Sequence, residues 1–159
     1  MLPSNNVTRM LDAKKIAYQL FETKNEKLGA QQTADLLGLD PWVVFKTIVT
    51  ARVRPGKKVL AVIPGPATVD LKKLAMAVGE KKMTLVTERE AEAATGLQAG
   101  GISPLALINK GFQVVIDESA LVFDRINISA GQRGLNLAIG PADLAALVAA
   151  SFGDISELV

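Results

Sequence analysis

At 159 residues, 49% hydrophobic and only 4% aromatic, the chain has the size and composition of one domain with an aliphatic core. Its formal charge of +2 neither requires nor excludes a nucleic-acid partner. With no cysteine and no histidine, it excludes Ser–His–Asp and Cys–His catalysis, disulfides, and any zinc site built on those ligands.

No stretch approaches the ~18 consecutive apolar residues of a membrane span. The opening segment Met1-Leu2-Pro3-Ser4-Asn5-Asn6 has neither the basic nor the apolar region of a signal peptide. The expectation is a single domain over 1–159, cytoplasmic, with no cofactor and no metal.

Residues 4–14 read as a short helix and 16–23 as an extended stretch. A second helix covers 30–38 and stops at Gly38. Asp40-Pro41 has the form of an N-cap with proline at the first helical position. It leads into residues 43–49, β-branched and read as a strand. A turn at 54–57 returns the chain along 58–64, which makes the pair a hairpin. Asp70 caps a helix through Val78, with Gly79 as its stop. A strand at 82–86 follows. Thr87 and Glu90 have capping-box spacing for a helix that ends at Gly96. Residues 112–116, 121–128 and 135–139 read as strands, and Pro141 opens a last helix to Ala150. Strands joined both by turns and by helices predict an α+β domain, with a mixed, twisted and partly closed, barrel-like sheet and helices around it.

Lys46 interrupts an apolar strand, with Val44 and Ile48 as its same-face neighbours. One reading is a cation reaching into a pocket for an anionic or carbonyl group; the other is an edge lysine whose stem packs while its ammonium reaches water. Gly100-Gly101-Ile102-Ser103-Pro104 removes side-chain bulk at two adjacent positions and stiffens the exit with proline. It is either a backbone cradle for substrate or a tight connection. It has neither Walker nor GxGxxG spacing, and Ser103 has no histidine base. Ser129-Ala130-Gly131-Gln132-Arg133-Gly134-Leu135, between two predicted strands, suits an anion-binding nest or a plain hairpin loop. Lys72, Lys73, Lys81 and Lys82 either meet a nucleic-acid backbone or form a solvated face. No pair of carboxylates has spacing that points to acid–base work or metal binding.

Phe45-Lys46-Thr47, the Gly100 to Leu105 segment, Asp117-Glu118-Ser119-Ala120-Leu121 and Ser129 to Leu135, in this order, resemble the signature of the YbaK family. These are bacterial aminoacyl-tRNA deacylases related to the editing domain inserted in bacterial prolyl-tRNA synthetases. The resemblance spans nearly the whole chain. It implies that family's α+β fold and editing in trans of mischarged tRNA, in particular cysteine on proline tRNA and also cysteine on cysteine tRNA. A synthetase separates small side chains by only roughly 10–200-fold per methylene, so a second site must clear errors. In the mechanism implied, the cysteinyl thiol attacks its own ester and leaves as a thiolactone.

The same resemblance implies roles for residues. Lys46 orients the ester or the terminal phosphate, and the backbone of Gly100 and Gly101 stabilises the oxyanion. Leu28, Ile102, Ser103, Pro104 and Asn136 contact the substrate, while Ser129, Gly131 and Arg133 hold the terminal ribose or phosphate. The implied partners are the acceptor end of mischarged tRNA and prolyl-tRNA synthetase, and a monomer is expected. Three positions depart from the family pattern: Leu28 before Gly29 where an aromatic is frequent, Ala106 for a glycine, and Asn136 for an aspartate. They bear on the preferred amino acid. An alanine-specific hydrolase of proline tRNA, which needs a protein-positioned water, and a non-catalytic aminoacyl-tRNA or synthetase-binding module are the competing readings.

Overall fold

The computed structural model describes residues 3–158. Helix α1 (Asn6–Ala13) starts at a reciprocal cap. The Asn5 side chain accepts the Thr8 N–H at 3.0 Å, and the Thr8 hydroxyl accepts the Asn5 N–H at 2.9 Å. Strand β1 (Tyr18–Glu22) leads through a loop to α2 (Ala30–Leu37), which stops at Gly38 in the left-handed conformation. A 3-10 turn over Pro41–Val43 precedes the antiparallel hairpin of β2 (Phe45–Arg52) and β3 (Val59–Pro64).

After β4 (Thr68–Val69), Asp70 caps α3 (Leu71–Val78) by accepting from the amides of Lys72 and Lys73. Strand β5 (Met83–Leu85) and α4 (Glu88–Thr95) follow, the helix opened by the Thr87–Glu90 box. The rest comprises β6 (Gln113–Asp117), β7 (Ile126–Gln132), β8 (Leu135–Ile139), α5 (Pro141–Val148), β9 (Ser151–Gly153) and β10 (Ser156–Glu157), with 3-10 turns at Pro104–Leu107 and Glu118–Val122.

The mixed α+β architecture has one mixed sheet in the order β5-β2-β3-β6-β9, an antiparallel sheet β1-β8-β7, and the small pair β4–β10. Every residue of β3 is buried, as a central strand covered on both faces requires. One face carries Leu60 and Val62 into the main core with Phe45, Ile116, Ile128 and Leu137. The other sends Val59, Ala61 and Ile63 against Leu74 and Ala75 of α3.

Three expectations change. The strands do not form one closed sheet: among the described residues, the backbones of the two large sheets are joined by one isolated parallel bridge, Val44 with Asn127. The strand expected from Leu121 begins at Ile126, because Asp117 accepts the Ser119 and Ile155 amides and winds the chain into a 3-10 turn. Leu121 and Val122 are left exposed. Finally, Ser129 to Leu135 is mostly strand. It carries a bulge that shifts the register between the Ser129–Asn136 and Gln132–Leu135 pairs. Strands β4, β9 and β10 are too short to show in the residue pattern.

Candidate active site

Beyond the Val44–Asn127 bridge, β2 and β7 diverge. Strand β5 pairs only with Thr50, Ala51 and Arg52, so residues 45–49 of β2 lack a β5 neighbour. The Val44 carbonyl accepts the Gly65 amide at 2.8 Å, which sets the antiparallel alternation. Lys46 and Ile48 therefore exchange hydrogen bonds with β3, while Thr47 and Val49 turn their peptide groups away from it. The gap this creates is a cavity of about 310 Å³. Leu28, Gly29, Ala30 and Thr33 wall it on the α2 side, residues 44–49 along β2, and Val86, Thr87, Glu88 and Ala91 at α4. Ala99, Gly100 and Ile102 close the third side, and Ser129 of β7 and Asn136 of β8 complete the wall.

Lys46 is half-buried, and its Nζ donates to the Gly65 carbonyl at 2.9 Å. Burial pushes its pKa below the ordinary lysine value. Paired parallel residues project to the same face, so Lys46, two residues beyond Val44, shares a face with Ser129, two beyond Asn127. Asn136 is the cross-strand partner of Ser129 and joins that face. One cation, a hydroxyl and an amide thus line one surface of the gap.

The Ala99–Gly101 turn is clamped on three sides. The Ala99 amide donates to Glu92 Oε2 at 2.8 Å, the Ala99 carbonyl accepts Arg133 Nε at 2.7 Å, and the Gly101 amide donates to the Gln98 carbonyl at 2.9 Å. Gly100, at φ +89°, lines the cavity, whereas Gly101 does not. A Cβ on Gly101 would lie 2.8 Å from Arg133 N and from the Gln132 carbonyl carbon. Gly101 is there so that two backbones can touch, and its amide is already committed.

Leu28, Lys46, Gly100, Ile102, Ser129 and Asn136 therefore meet around one cavity. Five other expected site residues stand apart from it. Gly101 packs behind the turn. Ser103 is fully buried and accepts the Leu105 amide at 3.2 Å, so it caps a 3-10 turn whose first residue is the buried Pro104. Gly131 donates to Ser129 Oγ at 3.1 Å and lines a separate cavity with Val7 and Ala106. Arg133 donates its Nε to the Ala99 carbonyl and is not among the wall residues. Lys73 bonds Asp154 at 3.1 Å, and Lys81 and Lys82 line a cleft that shares no wall residue with the site.

Sequence reasoning passed over Thr33, Thr47, Glu88 and Ala91 as wall residues. Thr47 and Glu88 left a signal: a hydroxyl inside an apolar strand, and an acid in the first turn of a capped helix. Among the described residues, no group of three acidic, histidine or cysteine side chains could hold a metal ion, and no helix is long and apolar enough to cross a membrane.

A profile of the aminoacyl-tRNA editing domain matches residues 24–147, which include every wall residue of the cavity. The chain belongs to this editing-domain family. Among its relatives is an Enterococcus faecalis protein named as a Cys-tRNA(Pro)/Cys-tRNA(Cys) deacylase, EbsC. It is 36% identical over 153 residues, covering 95% of this chain and 92% of the relative. Solved structures share the fold. One is described as a hypothetical protein, APE2540 (TM-score 0.86, 23% identity, 96% of this chain and 100% of that one). Another is described as a trans-editing enzyme for prolyl tRNA synthetase (TM-score 0.79, 22% identity, 98% of this chain and 99% of that one). In this editing domain, then, the shared fold builds its cavity where two sheets part.

Proposed function

We propose that this editing domain acts in trans as a deacylase of cysteine attached to proline tRNA, and of cysteine on its own tRNA, with the substrate thiol as nucleophile. The observation that carries the reading is the chemistry of the cavity wall. It offers the Lys46 cation, the Gly100 backbone and small polar groups, while its one carboxylate, Glu88, is 57% exposed at the rim beside Lys27 rather than buried in the pocket. Such a wall can hold an ester and stabilise developing negative charge, whereas it has no evident base for activating water. A cysteinyl ester supplies the missing group itself.

In the proposed step the thiol sulfur bonds to the ester carbonyl carbon and the bond from that carbon to the ribose oxygen breaks. The ribose oxygen ends as a hydroxyl carrying the proton lost by the thiol, and cysteine departs as a thiolactone. Lys46 favours the thiolate, whose ordinary pKa lies near ~8.5. With the Gly101 amide committed to Gln98, Gly100 is the backbone donor assigned to the carbonyl oxygen. A donor of this kind contributes ~100–1,000-fold in rate. Ser129 and Asn136 are assigned to the ribose and the amino-acid side. Ile102 and Leu28 set the apolar limit of the pocket. The modest net charge supports help from prolyl-tRNA synthetase in holding the tRNA, with the domain itself a cytoplasmic monomer.

The test compares proline tRNA carrying cysteine, serine or alanine. Turnover of the cysteinyl ester alone, with thiolactone as product, is expected. Equal turnover of the seryl ester would sink thiol assistance, and turnover of the alanyl ester would call for a positioned water. Binding of all three without release would make the protein a sequestering module.

A further inference from the structure

The Lys27–Glu88 ion pair stands at the rim of the cavity, Glu88 in its wall and Lys27 just outside. Glu88 is the single carboxylate among the wall residues. The side chains are 53% and 57% exposed, and a pair this open is weakly held and readily exchanged for other partners. The backbone carrying Lys27 is well placed. The segment before α2 lies over Gly100, where an added Cβ would come 3.2 Å from Lys27 Cα, and over Gly134, where it would come 3.1 Å from the Thr23 carbonyl. The Thr23 amide also donates to the Gly134 carbonyl at 2.8 Å. The lysine thus projects from a fixed base.

An aminoacylated tRNA end carries two charges in a matching order, an α-ammonium on the amino acid and phosphodiesters beyond the ribose. With the amino acid in the cavity, the ammonium lies inward and the phosphates outward. We propose that the Lys27–Glu88 pair exchanges partners with this substrate: Glu88 takes the α-ammonium and Lys27 a phosphate of the terminal nucleotides. The inference rests on the deacylase reading of the same cavity. Two charges kept neutral by each other in the free protein become two substrate contacts, and neither is left unpaired in the complex.

The experiment measures equilibrium binding of proline tRNA carrying cysteine through a non-hydrolysable amide link, so the result does not depend on turnover. Lys27→Ala is expected to raise Kd about threefold to tenfold and to lower the slope of log Kd against log salt by about 0.7, the share of one single-strand phosphate. Glu88→Gln is expected to raise Kd by a similar factor with the slope unchanged. The reversed double variant K27E/E88K keeps an ion pair at the rim but opposes both substrate charges, so it should bind more weakly than either single variant at an unchanged Tm. Recovery of normal binding by K27E/E88K would make the pair a simple clasp and overturn the proposal. So would an unchanged salt slope in Lys27→Ala. Normal binding and charge effects without hydrolysis of the natural ester would instead count against the deacylase reading alone.

Discussion

The ammonium of Lys46 is held by the carbonyl of Gly65, 2.9 Å away at the exit of β3. A carbonyl orients a lysine without neutralising it. Among the described residues no carboxylate bonds this ammonium, and burial lowers its pKa. Gly65 is in turn wedged between Ala30 of α2 and the Val44 carbonyl, so packing at the top of the sheet sets where the charge points.

Replacing Lys46 by methionine should therefore separate activity from stability. Deacylation of cysteinyl-tRNA should fall about 100-fold or more, the scale of losing one charge-stabilising donor. The folded-state pKa lies below the unfolded one, so the folded protein binds fewer protons between the two values and stability rises with pH across that window. The methionine variant should lose that rise and keep or gain Tm at pH 7. Thermal melts at pH 7 and pH 10 check both signs.

Gly65→Ala should damage the same function from behind. The new Cβ would sit 2.7 Å from the Ala30 Cβ and 3.1 Å from the Val44 carbonyl oxygen. Overpacking of this kind costs about 1–3 kcal/mol. Denaturant unfolding should show that loss, and single-turnover rates should fall because the Lys46 acceptor moves.

The two adjacent glycines should fail in different ways. Gly101→Ala forces a Cβ against the Gln132–Arg133 backbone at 2.8 Å, so it should lower Tm and displace the turn. Gly100→Ala places a side chain at φ +89°, a strain of about 1–3 kcal/mol, and pushes on Lys27. Its loss should appear more strongly in kcat, since Gly100 is the member of the pair in the cavity wall. Parallel melts and kinetics on both variants distinguish them.

Arg133→Met tests whether this guanidinium supports the turn or meets the tRNA. Its Nε bonds the Ala99 carbonyl, so kcat should drop while the salt dependence of KM stays unchanged. A slope reduced by about 0.7 would instead mark a phosphate contact.

Far from the cavity, Glu80 should govern acid stability. Its hydrogen bond from Arg54, assisted by Arg52, holds its pKa at about 2 against an ordinary 4.5. A depressed carboxylate stabilises the fold above the unfolded value, and that contribution is lost as pH falls from about 4.5 through about 2. Glu80→Gln should flatten the decline in this window, as read by urea unfolding at pH 6 and pH 3.

Features written within a few residues are legible before the chain is folded. The caps at Asp70 and Thr87, the stops at Gly38, Gly79 and Gly96, and the β2–β3 hairpin are set by hydrogen bonds and periodicities that span one turn or one strand pair. Lys46 was visible for the same reason, as a charge inside an apolar strand. The missing cysteine and histidine limited the chemistry before any fold was known. Which of these groups can meet a substrate depends on how distant segments pack. Gly100 faces the cavity and Gly101 does not because Gln132 and Arg133, distant in sequence, come against the turn behind Gly101. Arg133 supports the Ala99–Gly101 turn through its Nε because the Ala99 carbonyl, far away in sequence, lies within its reach. Glu88 entered it because β2 and β7 part after Val44 and Asn127, opening a gap beside α4. Local patterns encode the elements, but the divergence of two sheets and the sharing of donors across the fold depend on contacts far apart in sequence.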